Sequence, residues 1–510
     1  MAAHMNERWK LTVFTAVCLL AVPSVAGAQA KSDADRLITE ALKPSPIEHN
    51  LRHLTDEIGG RVPGTLAMEQ AVAWGMADFK EAGADRVYTE TFKLPNSWAE
   101  GATVVTVSSL GTSTDPKLSS IPPVVFKARA VSVALGPPLM AQHIPVVDVG
   151  MGTPADFKKA GDISGKVILV HSDVLKKWAD LFDEYLRPPA IIDAAVKGKA
   201  KAIAFIATRE HDILYRHTDA IAGEIARLPM IIVAREDGER MGRLVTSGHP
   251  VWVDLSIPNK IGGPITVANV IAEIRGSEKP DEFVILGAHL DSWELGTGAL
   301  DNGCNAALVI DALRTIKTAG LKPRRTIRFI LFSGEEEGTM GSRAYAAAHR
   351  NELDKAVGVA VIDQGVGRVT GFDLGGRKDM TDKVAAIVAP LKQFEATELK
   401  TDDVEWGTDH YDFLLEGVPT LVAEQEEGNY LPNYHATSDT YDKVDIGQLK
   451  KHVAEMTVVT FGIANANDRL GPRLTHAEID KILRDTHSDE QMKPLGIWAE
   501  WVSGKRGRAK

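Results

Sequence analysis

At 510 residues the chain is too long for one ordinary core, so two or more domains are expected from the usual size of folding units. Its composition, 44% hydrophobic and 25% charged, is that of a folded soluble protein. A net charge of -11 argues against non-specific nucleic-acid binding, which needs a basic footprint.

The chain begins with Arg8 and Lys10, the apolar stretch LTVFTAVCLLAV, and then small residues ending at Ala28-Gln29-Ala30. That order is the pattern of a secretory signal peptide over 1–30, and the apolar run is shorter than the roughly 20 residues a membrane span needs. The protein is therefore expected to be exported, periplasmic or secreted, without a membrane anchor. Of the two cysteines, Cys18 leaves with the signal, so Cys304 has no internal disulfide partner.

Residues 33–57 alternate polar and apolar at helical spacing and lead into LTDEIGGRVPGT, whose glycines and proline mark a loop. Residues 66–83 follow as an amphipathic helix closing at Gly83. From 102 to 257 the texture changes to short β-branched runs such as GKVILVHS, KAIAFIA and VWVDLSI, with helical stretches near 177–200 and at REDGERMGRLVTSG. This reads as a mainly β insert, without an acid, base or ligand cluster of its own, between the two parts of the catalytic domain, 31–101 and 258–510, and it is expected to wall one side of the cleft and restrict access to short substrates. From about 265 the runs ANVIAEI, EFVILGA, TIRFILF, AVGVAVI and VPTLVAE alternate with long helical segments. Continuous apolar strands alternating with helices indicate a mixed, largely parallel sheet covered on both faces. The basic tail WVSGKRGRAK reads as a frayed, solvated terminus.

Ligands in such sheets bind beyond the carboxyl ends of the strands. EFVILGA is followed by His289 and Asp291, with Asp301 twelve residues after His289; TIRFILF by Glu335, Glu336 and Glu337; AVGVAVI by Asp363; and VPTLVAE opens a loop carrying His435. Taken singly, each has a plain explanation: a lone strand-end histidine, a helix N-cap, a solvated acidic face. Together they form a set of metal ligands. Asp301 bridging two ions, with His289 and Asp363 on one and Glu336 and His435 on the other, gives each ion three protein ligands and leaves room for a shared water. Imidazole with carboxylate favours zinc, while manganese or cobalt fits the same set. Glu335, adjacent to a ligand and not needed as one, is then the general base. Asp291 would orient the His289 imidazole.

The stretches AHLDSWELGTGALDNG, FSGEEEGTMGS, VIDQG, GTDHYDF and NYHATSDTYDKV resemble the signature segments of the dizinc exopeptidases related to bacterial leucyl aminopeptidase, and within them the carboxypeptidase Q branch. DEIGGRVPGT resembles the start of the same catalytic domain, and 102–257 the protease-associated insert. The resemblance implies a phosphorylase-like α/β/α sandwich, two zinc ions, and removal of single residues or dipeptides from a free terminus of short peptides. It assigns His289, Asp301, Glu336, Asp363 and His435 as ligands and Glu335 as base, and it places Asp409 and His410 either on the substrate side or behind the ligands as supporting groups. Some members dimerise, so a homodimer is possible here. An aminopeptidase acting on longer peptides is the competing enzyme; a catalytically dead binding module is disfavoured because no ligand is missing.

Overall fold

The computed structural model describes residues 32–109, 124–217 and 222–510. The signal-peptide reading lies outside them. Among the described residues no helix is long and apolar enough to cross a membrane.

Two eight-stranded sheets organise the chain. The first holds β1 (Arg86–Leu94), β2 (Ile265–Ile274), β3 (Lys279–His289), β4 (Arg325–Phe332), β5 (Ala356–Val361), β6 (Val369–Asp373), β7 (Glu398–Lys400) and β8 (Thr420–Gln425), in the order β1-β2-β4-β3-β5-β8-β6-β7. The centre is parallel, with β4, β3, β5 and β8 side by side, while β1, β2 and β6 run antiparallel to their inner neighbours. Central strands with helices on both faces must bury alternate side chains in opposite directions, and β3 shows this. Val284, Leu286 and Ala288 join a core built with the helices Cys304–Thr318 and Ile446–Asn465, whereas Phe283 and Ile285 pack with Tyr345 and Phe413 on the other face. The result is the α/β/α sandwich expected from the alternating runs.

The second sheet is made entirely of strands between Val104 and Ile257. Four strands of it are parallel, and four helices accompany it, including Trp178–Leu186 and Pro188–Lys197. It is thus more helical than its β-branched runs suggest. A two-stranded clasp, Ser97–Ala99 paired with Lys260–Gly262, ties together the two chain segments that enter and leave it.

The terminal tail departs from the sequence expectation. The last helix, Ile497–Ser503, packs Trp501 into a small core with Tyr411 and Leu415, and beyond it the Arg506 guanidinium is buried, donating to both Asp412 oxygens at 2.8 Å. The N–H of Arg508 donates to the Leu415 carbonyl at 2.9 Å. A basic, glycine-containing stretch reads as solvated until its buried carboxylate partner, 94 residues earlier, is brought against it.

Candidate active site

Four parallel strands deliver their carboxyl ends to one edge, and the polar residues after each converge there. His289 ends β3; its Nε2 lies 3.1 Å from Oδ1 of Asp301 and 3.0 Å from Oδ1 of Asp363. His435 faces it from the loop after β8, with Nε2 2.8 Å from Oε2 of Glu336 and 3.3 Å from Oδ2 of Asp301. Asp301 therefore turns one oxygen towards each imidazole. Glu335 stands apart, its Oε2 4.0 Å from His289 Nε2, and with Asp363 it is more exposed, at 12% and 11%, than His289 at 1%.

The donor set suits divalent cations. Oδ2 of Asp301 and Oε1 of Glu336 are buried and accept no hydrogen bond within the protein. His289, Asp301 and Glu336 each offer a ligand atom within 4.8 Å of the others, as do His289, Glu335 and Asp363. Burial pushes Glu335 well above the usual carboxylate range, and Asp363, Asp409 and Glu336 reinforce it against the pull of His289. Burial likewise raises Glu336 to about 7, opposed by His435 and reinforced by Asp301. Although burial opposes it, Glu336 and Asp301 raise His435 to about 10. Carboxylates crowded against each other in a dry site are in need of positive charge, which bound cations supply.

The loop between His289 and Asp301 is held from two sides. Asp439 accepts hydrogen bonds from the N–H groups of Ala299, Leu300 and Asp301 at 3.1, 2.7 and 3.1 Å. Arg61, completely buried, donates to the carbonyls of Leu290, Gly59, Thr297 and Gly298. Gly298 has φ +60, and a Cβ there would sit 2.3 Å from the Ser292 side chain, so this tight passage requires glycine. The Asp291 carbonyl lies 3.0 Å from His289 Nδ1, while its carboxylate is 3.8 Å away and accepts the Glu336 N–H at 3.1 Å. Its main chain orients the imidazole and its side chain joins the two ligand loops. His435 is positioned by the second sheet's domain: its Nδ1 is 3.0 Å from the Arg216 carbonyl, and the Arg216 N–H donates to the His435 carbonyl at 2.9 Å.

Asp301, Glu335, Glu336, Asp363 and His435 all line one cavity of about 180 Å³. Trp178, Phe182, Tyr185 and His217 of the inserted domain form its opposite wall, and Leu495, Ile497 and Arg506 close it from the C-terminal segment.

Residues 269–460 match the model of "Peptidase family M28". That stretch carries the strand ends and loops that supply His289, Asp301, Glu335, Glu336, Asp363 and His435. Bovine carboxypeptidase Q is 26% identical over 422 residues, covering 82% of this chain and 85% of the relative. A crystal structure of a peptidase M28 precursor from Shewanella amazonensis aligns with TM-score 0.75 and 26% identity over 86% of this chain and 98% of that one. A zinc aminopeptidase from Bacillus subtilis shares the fold, with TM-score 0.63 at 18% identity over 84% and 97% of the two chains.

The geometry decides between the places open to Asp409 and His410. Asp409 and His410 are completely buried and do not line the cavity, and His410 Nε2 lies 2.9 Å from the Glu405 carbonyl, so of the two places open to them they take the supporting one behind the wall. The inserted domain supports the site through a buried ion pair: Glu184 is paired with Arg209, whose guanidinium stacks 3.8 Å over Tyr215 and donates to the Tyr434 carbonyl. Tyr434 in turn stacks on His435 at 3.7 Å and shares a 2.5 Å hydrogen bond with Tyr185. Arg61, Asp439, Arg216 and Glu405 were not singled out from the sequence. The signal for Arg61 was its place in the glycine-rich GGRVPG turn, and for Asp439 its closeness to His435 in HATSD.

Proposed function

We propose that the protein is an exported, zinc-dependent exopeptidase of the M28 type that hydrolyses dipeptides or short peptides, with Glu335 as general base. Asp301 carries the reading: one of its oxygens faces each histidine, while Glu335 remains free beside them. Similarity to carboxypeptidase Q supports peptide hydrolysis at a chain end, and the imidazole–carboxylate donor set supports zinc, with manganese or cobalt as substitutes.

His289 and Asp363 would hold one ion, Glu336 and His435 the other, and Asp301 both. When bound, such a pair supplies Lewis-acid charge to a carbonyl and lowers the pKa of water. Glu335 faces the cavity from a turn fixed by the N–H groups of Gly338 and Thr339 on its carbonyl, at 2.7 and 2.8 Å. From there it takes the proton of the attacking water and passes it to the leaving amine. The wall of Trp178, Phe182 and Tyr185 narrows the site against bulky chains.

The test is hydrolysis of dipeptides, tripeptides and a folded protein by the purified chain, before and after chelation, and after adding back zinc, manganese or cobalt. Dipeptide activity should vanish on chelation and return with metal, and the folded protein should resist cleavage. Full activity in the chelated protein overturns the metal reading; equal rates on dipeptide and folded protein overturn the role of the wall.

A further inference from the structure

One carboxylate in the cavity has no part in the chemistry described so far. Glu405 lines the same cavity as Glu335 and Asp363, and its Oε1 accepts a 2.7 Å hydrogen bond from the side-chain amide of Gln364. It forms no ion pair with any described Lys, Arg or His. The charged groups facing it are Glu424, Asp373 and Asp363, together with Lys400, which is itself paired with Glu424. Burial and these carboxylates push Glu405 well above the usual carboxylate range. A half-buried carboxyl group facing mostly like charges is a favourable place for a cation to bind.

The surroundings favour such a cation. Trp406, next in sequence, also lines the cavity and packs 5.5 Å from Phe182 and edge-on, at 6.4 Å, to Tyr185 of the inserted domain. Aromatic faces beside a carboxylate attract ammonium groups through the ring quadrupole as well as through charge. Gln364, which holds Glu405, directly follows Asp363, so a group bound here lies about one side chain from the ligand cluster.

We propose that Glu405, with the aromatic faces of Trp406, Phe182 and Tyr185, is the specificity-determining subsite for a primary ammonium on the first residue of the substrate. This rests on the exopeptidase reading above. The ammonium comes either from the α-amine or from a lysyl side chain, and the two are separable by substrate.

The experiment measures kcat and KM of the zinc-loaded wild type and Glu405→Gln on Lys-Ala, Met-Ala and Nα-acetyl-Met-Ala. Metal content is read by emission spectrometry. A hydrogen bond to a charged group is worth about 1.5–3 kcal/mol, so a preference resting on it should shrink roughly 10- to 100-fold. If the side-chain ammonium is bound, Glu405→Gln collapses the preference for Lys-Ala over Met-Ala. If the α-ammonium is bound, it collapses the preference for Met-Ala over its acetylated form. Trp406→Leu should reduce the same preference by a smaller factor, about 2- to 5-fold, and stands in should Glu405→Gln fail to fold. Both preferences within twofold of wild type in both variants overturn the proposal. Calorimetric titration of L-lysine amide decides the subsite even if no peptide is turned over: weaker binding to Glu405→Gln supports it, and equal binding, or none to either protein, rejects it. Absence of all turnover counts against the exopeptidase reading alone.

Discussion

Three consecutive glutamates occupy three different environments because they lie on the turn between β4 and the next helix, where successive side chains point in different directions. Glu335 faces the cavity, Glu336 reaches His435 at 2.8 Å, and Glu337 is buried away from the cavity with one carboxyl oxygen unbonded. On the proposed roles, Glu335 as base and Glu336 as ligand, mutation should separate the two. Glu335→Gln should retain its metal while turnover falls about 10²- to 10⁴-fold, whereas Glu336→Gln should lose metal as well as activity. Metal analysis beside steady-state rates distinguishes them, and equal metal loss in both variants means the roles are misassigned. The two glutamates could be picked out in the sequence because a polar burst directly after an apolar strand has no packing explanation. Arg61 and Asp439 could not, because their partners are main-chain groups. Arg61 donates to carbonyls up to 237 residues away, and no pattern of side-chain types encodes a backbone acceptor.

At the level of elements, apolar strand runs and helical periodicity carried most of the catalytic sheet, since both faces of each central strand are buried and its composition shows it. Loops between ligands are a different matter: their shape depends on hydrogen bonds received from elsewhere. The passage from His289 to Asp301 exists because Asp439 gathers three N–H groups, with Oδ1 taking those of Ala299 and Leu300 and Oδ2 that of Asp301. Asp439→Asn keeps the size and removes this symmetry, since whichever way the amide turns, its NH₂ meets at least one N–H. Groups supporting metal ligands typically cost 10- to 100-fold in metal affinity when removed, so zinc affinity of the chelated variant should drop by roughly that factor. Calorimetric titration with zinc checks this, and unchanged affinity would show that the loop holds its shape without Asp439. The inserted domain was legible as a β-rich wall of the cleft but not as the support of His435, because that contact runs through the Arg216 backbone.

On the scale of the whole molecule, the site is assembled from parts that lie far apart in the chain. The inserted domain holds His435 and walls the cavity, and the C-terminal segment closes it with Arg506. Arg506 also reaches the turn that carries Glu335: its Nη2 donates to Oγ1 of Thr339 at 3.0 Å, that hydroxyl donates to Asp412, and the Thr339 N–H donates to the Glu335 carbonyl. A tail docked in this way should be part of the cooperative fold. Removing one partner of a buried pair leaves the other charge uncompensated, at a cost of about 3–5 kcal/mol. Arg506→Ala should therefore lower the thermal midpoint, expose the last residues to carboxypeptidase digestion, and reduce turnover by loosening the Glu335 turn. Arg506→Lys keeps the charge but not the two-pronged geometry that meets both Asp412 oxygens, so it should fall between alanine and wild type on all three measures. If Arg506→Ala melts and turns over like the wild type, the tail merely rests on the surface of the fold and the cavity is closed without it.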